Sequence, residues 1–129
     1  MERLCDKDYL SAQVSGALAY LAKVIYMDAV AHGLWDDPTV ALDNSNGLKY
    51  VRRRCTLLIR EELSEACEAA SDAACFAEEL ADVIIMTLSA AGHLGIDITD
   101  AILKKVAVNH ERPYKHGKEL STCTTCRTK

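Results

Sequence analysis

Two acidic pairs with the same three-residue spacing lie in the middle of this sequence. Glu62 and Glu65 form the first pair, and Glu79 and Asp82 form the second. Side chains three residues apart project from one face of a helix, with roughly 5–6 Å between their Cβ atoms. Carboxylates offer only oxygen ligands, which suit Mg²⁺, with Mn²⁺ as a substitute, better than zinc. The spacing therefore indicates a site for a divalent cation.

The apolar periodicity assigns these acids to the inward faces of two helices. Two stripes with spacings of four, three and four residues contain them: Leu58, Glu62, Glu65 and Ala69, and then Cys75, Glu79, Asp82 and Met86. In an antiparallel hairpin centred on Asp72, position 62 lies level with position 82, and position 65 with position 79. Four carboxylates at one level repel one another unless a cation binds them. A single acidic pair is usually a solvated helix face, but two pairs in matched register favour a metal site.

Apolar periodicity and turn signals predict four helices and no strand. The predicted helices span residues 8–32, 48–70, 74–93 and 97–111. Gly33 is a plausible stop for the first helix, and Pro113 ends the last one. Because only a few residues around Asp72 separate the second and third helices, these two form an antiparallel hairpin. We expect an all-α, four-helix bundle in which this hairpin carries the metal site.

Length and charge narrow the classes of function. A chain of 129 residues fits one domain, and half of its residues are apolar, which argues against extensive disorder. A net charge of −4 argues against a partner that is a nucleic-acid polymer, although it allows a nucleotide whose charge a cation neutralises. The first residues lack an apolar signal segment, and the apolar stretches are too short for a bilayer. We therefore expect a cytoplasmic protein without a membrane partner and with reduced cysteines.

Polar residues on the last predicted helix suit a phosphate chain. Lys105, Asn109 and Arg112 follow spacings of four and three residues and so share one face. A cation, an amide and a guanidinium can together bind a polyphosphate, and arginine can hold two oxygens at once. From the pattern alone, an ordinary polar helix face is the more common explanation.

Three further residues are candidates for contact with a substrate. Trp35, the only tryptophan, can stack on a base or simply pack, and His32 can contact the substrate or the end of the first helix. Tyr114 can support a phosphate or pack as an ordinary aromatic. The run of arginines at 52–54 is most simply a solvated face, with one member near phosphates as the alternative.

Five segments, in order, resemble the MazG-like all-α nucleoside triphosphate pyrophosphatases, a group that includes MazG and the dimeric dUTPases. They read AHGLWD at 31–36, ELSEA at 62–66, ELADVI at 79–84, GIDI at 95–98 and NHERPYKHG at 109–117. The resemblance covers about residues 25–118. It includes neither the first half of the first helix nor the tail with Cys123 and Cys126, a lone cysteine pair that is insufficient for zinc.

The resemblance implies a fold and a reaction. It implies one MazG-like domain, which we take as residues 1–118, and a homodimer or homotetramer. The remaining residues 119–129 are polar, and their composition predicts a mobile tail. It implies Mg²⁺-dependent hydrolysis of a (d)NTP to a (d)NMP and pyrophosphate, in nucleotide house-cleaning. The alternative is a non-catalytic module of the same fold that binds a nucleotide or a partner. A ferritin-like di-iron bundle is excluded, because the chain has no Glu-x-x-His pair.

The resemblance also assigns roles to the candidate residues. It implies that the metal ligands are Glu62, Glu65, Glu79 and Asp82, and that the phosphate-binding residues are Lys105, Asn109 and Arg112. A carboxylate that the metal does not fully use, Glu61 or Glu65, is then expected to orient the attacking water. Glu61 neighbours the acidic signature without belonging to its minimal form.

Overall fold

The computed structural model describes residues 13–36 and 45–113. Four helices follow one another: α1 (Ser15–Ala31), α2 (Ser45–Glu68), α3 (Ala73–His93) and α4 (Ile98–His110). The described ranges contain no strand, so the predicted all-α class is confirmed. None of the helices in these ranges is long and apolar enough to cross a membrane. The start of the predicted first helix, Tyr114 and the 119–129 tail lie outside the described residues.

The largest difference from the predicted boundaries is the start of α2, which lies three residues earlier than expected. We predicted the helix to begin at Leu48 because Asn46 and Gly47 are typical of a turn. In the structure both residues belong to the first turn of α2, which begins at Ser45. The first N–H groups of a helix have no intrahelical partner, so turn-forming residues cost little there. Asn46 and Gly47 therefore lie in the first turn of α2 and not in the loop that precedes it.

Glycine ends α1, as its position predicts. Gly33 has a backbone φ of 78°, in the left-handed region that glycine adopts without a steric penalty. Its N–H donates to Val30 O at 3.0 Å, and the N–H of Leu34 donates to Ala29 O at 3.1 Å. This pair of bonds is the Schellman arrangement, which satisfies the last carbonyls of the helix and turns the chain away. The turn carries Trp35 to the interior of the protein.

A capped turn joins α2 to α3. The carboxylate of Asp72 accepts hydrogen bonds from the backbone N–H groups of Ala74 at 2.9 Å and Cys75 at 3.1 Å. These bonds satisfy two of the N–H groups that the start of α3 leaves without partners. They also hold the pKa of Asp72 below its ordinary value. The cap fixes the start of α3 and thus the register of the predicted antiparallel hairpin.

The chain divides into two compact units, which are residues 17–98 and the combination of 1–16 with 99–129. The core of the first unit lies where the end of α1, the first half of α2 and the second half of α3 meet. Its buried members are Trp35, Val51, Cys55 and Ala90. In the second unit, α4 carries an ion pair of 2.8 Å between Lys104 and Asp100, one turn apart.

Helices α1 and α3 approach closely at Gly92. A Cβ atom added to this glycine would lie 2.5 Å from Cγ of Tyr26 and 2.7 Å from its Cβ. No side chain larger than hydrogen fits at this point. Buried Ser89, Ala90 and Ala91 precede the glycine, so α3 presents small residues where α1 crosses it.

Helix α1 buries none of its residues completely. Its large apolar side chains include several that are exposed in the single chain: Tyr20, Leu21, Val24, Met27 and Val30. The exposed fraction reaches 72% for Tyr20 and 58% for Met27. A soluble monomer rarely leaves so much contiguous apolar surface in water.

Candidate metal centre

Three of the four predicted metal ligands come together in the structure. One carboxylate oxygen from each of Glu62, Glu65 and Glu79 lies within 4.8 Å of the others. The first two belong to α2 and the third to α3, so the cluster bridges the hairpin. Glu62 and Glu79 are half-buried, whereas Glu65 is exposed. The predicted register, with position 65 level with position 79, agrees with this geometry.

Burial and neighbouring charges raise the pKa of two of the acids. Burial, followed by the charges of Glu65 and Asp82, raises the pKa of Glu62 above its ordinary value. The pKa of Glu79 is also raised, first by desolvation and then by the charges of Glu65 and Asp82. Asp82 is not a member of the three-residue group, but it lies close enough to act on both glutamates. Glu61 is exposed and adds the smallest contribution to the pKa of Glu62.

Glu79 carries the most direct indication of a cation site. Its Oε2 atom is buried and is the one buried side-chain oxygen or nitrogen among the described residues without a hydrogen-bond partner. A buried carboxylate oxygen without a partner is costly, and a cation is a partner that removes this cost. The surrounding donors are all carboxylate oxygens, which suits Mg²⁺ or Mn²⁺. The residues present therefore fit a hard divalent cation.

Trp35 is held in the core next to α3. Its side chain is 7% exposed, and its Nε1–H donates to Ser89 Oγ at 2.9 Å. The indole stacks on His93, and the Arg54 guanidinium lies 6.0 Å from its ring centroid. The structure thus shows a packing role for Trp35, and its predicted contact with a base stays a prediction.

Of His32 and the three arginines at 52–54, some are exposed and one is half-buried. His32 is exposed, and its Nδ1 donates to Asp28 O at 2.9 Å, so it closes the last turn of α1. Arg52 and Arg53 are exposed, whereas Arg54 is half-buried and donates to Leu34 O at 3.4 Å. One arginine of the run therefore has a structural role.

A cavity of about 270 Å³ lies between α1 and α3 within the first unit. Its lining is mostly apolar and also includes two polar residues that the sequence analysis did not single out, Asp28 and Ser89. Asp28 interrupts the apolar run of α1, and Ser89 opens the small-residue run of α3. Both were visible as exceptions to an apolar pattern, but their convergence depends on the packing of α1 against α3.

The predicted phosphate-binding residues belong to the second unit. Lys105 and Asn109 are exposed on α4, one turn apart. Arg112 follows the end of α4 and is also exposed, and its backbone N–H donates to Asn109 O at 3.2 Å. Their predicted contact with phosphates stays a prediction.

Comparison with known proteins places these features in a family. A curated relative, the dATP/dGTP diphosphohydrolase of Cyanophage S-2L, is 44% identical over 54 residues, which are 42% of this chain. The chain spans about half the length of that relative, since the match covers 50% of it. No solved structure matches significantly. A family model described as MazG-like matches residues 54–124, which include both acidic pairs. Since that model covers more than half of the chain, the protein belongs to the MazG-like family.

Proposed function

We propose that this protein is a Mg²⁺-dependent nucleoside triphosphate pyrophosphohydrolase, which converts a (d)NTP and water to a (d)NMP and pyrophosphate. The main support is the cluster of Glu62, Glu65 and Glu79, in which one buried oxygen lacks a partner. Membership of the MazG-like family adds support, as does the similarity to the cyanophage relative, a dATP/dGTP diphosphohydrolase. By analogy with that relative, purine deoxynucleotides are the first substrates to consider.

The carboxylates of Glu62, Glu65, Glu79 and Asp82 would hold the cation. Mn²⁺ can substitute for Mg²⁺ because both prefer oxygen ligands. When bound, the ion supplies charge neutralisation of the phosphate chain and a Lewis acid for the phosphoryl oxygen. Because the bound cation relieves the repulsion among the four acids, this repulsion favours binding of the cation.

The remaining residues would place water and substrate. A carboxylate oxygen of Glu61 or Glu65 accepts a hydrogen bond from the attacking water and orients it towards the α-phosphorus. Lys105, Asn109 and Arg112 bind the outer phosphates and stabilise the charge that develops on the departing pyrophosphate. Attack at this atom, rather than at the γ-phosphorus, is what releases pyrophosphate.

The assembly is part of the proposal. The exposed apolar residues of α1 would be covered by a second copy, in a homodimer or a homotetramer. We propose a domain of residues 1–118 that acts in the cytoplasm on nucleotides rather than on nucleic-acid polymers or membranes. Hydrolysis of unwanted deoxynucleotides, a house-cleaning role, is the purpose that we propose for it.

A turnover screen tests the reaction. Purified protein is incubated with common and damaged (d)NTPs in the presence of Mg²⁺, and pyrophosphate and orthophosphate are quantified in the same sample. Pyrophosphate in equal amount to the monophosphate supports the proposal. Orthophosphate as the first product, without contaminating pyrophosphatase, contradicts it. Nucleotide binding without turnover would favour the non-catalytic module instead.

A further inference from the structure

We infer that the cavity between α1 and α3 takes the nucleobase of the substrate and that Asp28 makes it selective for guanine. The inference rests on the proposed function, because it assigns the base of the nucleotide whose phosphates bind near the acids. It adds a specificity-determining residue and a preference between the two purines. The argument uses the position of the cavity, its polarity and the hydrogen-bonding capacity of its two polar residues.

The cavity lies beside the acidic cluster on the same helix. Ile85 and Met86 line it and follow Glu79 by six and seven residues. On a helix this separation is about two turns, or a rise of roughly 9–11 Å. A nucleotide with its phosphates at the carboxylates can therefore reach the cavity with its base, with the sugar between the two.

Size and polarity suit a single base. The volume of about 270 Å³ is near the lower end of small-molecule pockets. Its apolar lining comes from both helices and the turn after α1: Val24, Ile25, Ala29, Leu34, Ile85 and Met86. Apolar walls suit the faces of a planar ring, while a few polar groups determine which edge is accepted.

The two polar residues offer complementary hydrogen bonds. Ser89 Oγ accepts the Nε1–H of Trp35, so the hydrogen of its own hydroxyl is available to an acceptor in the cavity. Asp28 is a carboxylate that can only accept. Its Oδ1 lies 3.5 Å from Nδ1 of His32, in an exposed pair along α1. The lining therefore offers a buried hydroxyl donor and, on its exposed side, a carboxylate acceptor.

Guanine is the common base that matches a two-oxygen acceptor. Its N1–H and 2-amino group are adjacent donors, whereas the pairing edges of adenine, cytosine and thymine each carry a single donor group. A carboxylate can accept both donors at once, as it accepts the two N–H groups of arginine. The neighbouring O6 of guanine is an acceptor, which suits the Ser89 hydroxyl.

Replacing Asp28→Asn tests the inference through two purines that differ by one amino group. Hypoxanthine keeps N1–H but lacks the 2-amino group, so dGTP and dITP isolate the second donor. In the wild type we expect kcat/KM for dGTP to exceed that for dITP at least about tenfold, the effect of one hydrogen bond to a charged acceptor. Asparagine keeps one acceptor for the two donors and removes the negative charge, so the ratio should fall towards one.

Asp36→Asn is the matched control, since it makes the same change on an exposed residue outside the cavity lining. It should keep the wild-type ratio of kcat/KM for dGTP to kcat/KM for dITP.

A second readout needs no turnover and no metal. Binding of dGMP and dIMP is followed by the fluorescence of Trp35, the only tryptophan, whose indole is bonded to Ser89 in the cavity wall. Wild-type protein should prefer dGMP, and Asp28→Asn should lose this preference.

The outcomes separate this inference from the proposed function. If pyrophosphate is released from dGTP but Asp28→Asn keeps the wild-type ratio, the role of Asp28 is wrong and the reaction stands. If no triphosphate yields pyrophosphate, the proposed reaction is wrong. The titration with monophosphates then tests, by itself, whether the cavity prefers guanine. Equal affinities of the wild type for dGMP and dIMP overturn the inference in either case.

Discussion

The ring of Trp35 lies flat against the ring of His93, with 4.3 Å between the centroids and 12° between the planes. The contact attaches the turn after α1 to the last turn of α3. Burial, and next the positive charge of Arg54, lowers the pKa of His93, so the imidazole is neutral at physiological pH. Trp35 also donates a hydrogen bond to Ser89, which lines the α1–α3 cavity, so this bond and the stack connect the turn after α1 to the cavity wall.

Truncating Trp35 should destabilise the protein in two separable steps. Trp35→Phe keeps a ring on His93 but loses the hydrogen bond to Ser89, which should cost about 1 kcal/mol. Trp35→Ala also removes the buried ring and should cost about 3–5 kcal/mol. Chemical denaturation gives both free energies of unfolding. Equal costs for the two variants would show that the stack on His93 contributes nothing.

Adding a methyl group at Gly92 should separate α1 from α3. The new Cβ would lie 2.5 Å from Cγ of Tyr26, so one of the helices must shift. We expect the free energy of unfolding to fall by about 1–3 kcal/mol, as overpacking usually costs.

Gly16→Ala is the control for that substitution. Gly16 also lies in a helix, α1, but among the described residues no atom outside its own stretch of helix lies within 4 Å of the added Cβ. This variant should gain about 0.5–1 kcal/mol, because alanine favours the helix more than glycine does. Destabilisation by both variants in thermal or urea unfolding would remove the steric explanation for Gly92.

Neutralising the acidic cluster should stabilise the apoprotein while it removes metal binding. Glu62→Gln and Glu79→Gln relieve the desolvation and the repulsion that raise the pKa of these groups. Their unfolding midpoints without metal should equal or exceed that of the wild type. Mg²⁺ should raise the midpoint of the wild type only, since a ligand stabilises the state that binds it. Turnover should be lost in both variants.

Glu68→Gln is the control, because Glu68 is an exposed acid on α2 that does not belong to the cluster. It should keep both the response to Mg²⁺ and turnover. A Glu79→Gln variant with normal turnover would contradict the metal site itself.

The cluster should also make the stability of the apoprotein depend on pH. For a carboxyl whose pKa is raised by folding, the folded state binds more protons than the unfolded state between the ordinary and the raised pKa. The free energy of unfolding therefore falls as pH rises through that window. The lowered pKa of His93 has the opposite effect: between its lowered and its ordinary pKa, the free energy of unfolding rises with pH.

Comparison of the wild type with a Glu62→Gln, Glu79→Gln double variant cancels the effect of His93. As the pH rises from mildly acidic to neutral, the free energy of unfolding of the wild type should fall relative to that of the double variant. Isothermal titration should show the affinity of the wild type for Mg²⁺ increasing over the same range, because the ligands must be deprotonated. A difference that does not change with pH would show that the two carboxyls titrate normally.

Removing Arg112 should affect both substrate binding and the chemical step. If Arg112 binds the outer phosphates, Arg112→Ala should raise KM and lower kcat, because charge develops on the departing pyrophosphate. The loss in kcat/KM should correspond to about 2–4 kcal/mol, by analogy with loss of an oxyanion donor. Lys104→Ala, which breaks the ion pair with Asp100, should have little effect. Wild-type kinetics for Arg112→Ala would remove the residue from the proposed site.

The acidic cluster was predictable because it depends on two helices joined by a short turn. Spacing assigned Glu62 and Glu65 to one face, and the distance of Glu79 from Asp72 gave the register across the hairpin. The start of α2 was predicted incorrectly, since Asn46 and Gly47 favour a turn and the first turn of a helix tolerates them. Boundaries depend on a few weak local preferences, whereas the existence of a helix depends on a whole stripe of apolar residues.

By itself the sequence determined the four helices, the hairpin, the acidic cluster and the resemblance to the MazG-like proteins, because each follows from local periodicity or an ordered set of motifs. Only the tertiary structure decided that Trp35 is buried against His93 and that Asp28 and Ser89 line one cavity. These contacts join α1 to α3, which are far apart in the chain. Their position depends on how closely Tyr26 approaches Gly92, a packing distance that no periodicity along a single helix can give.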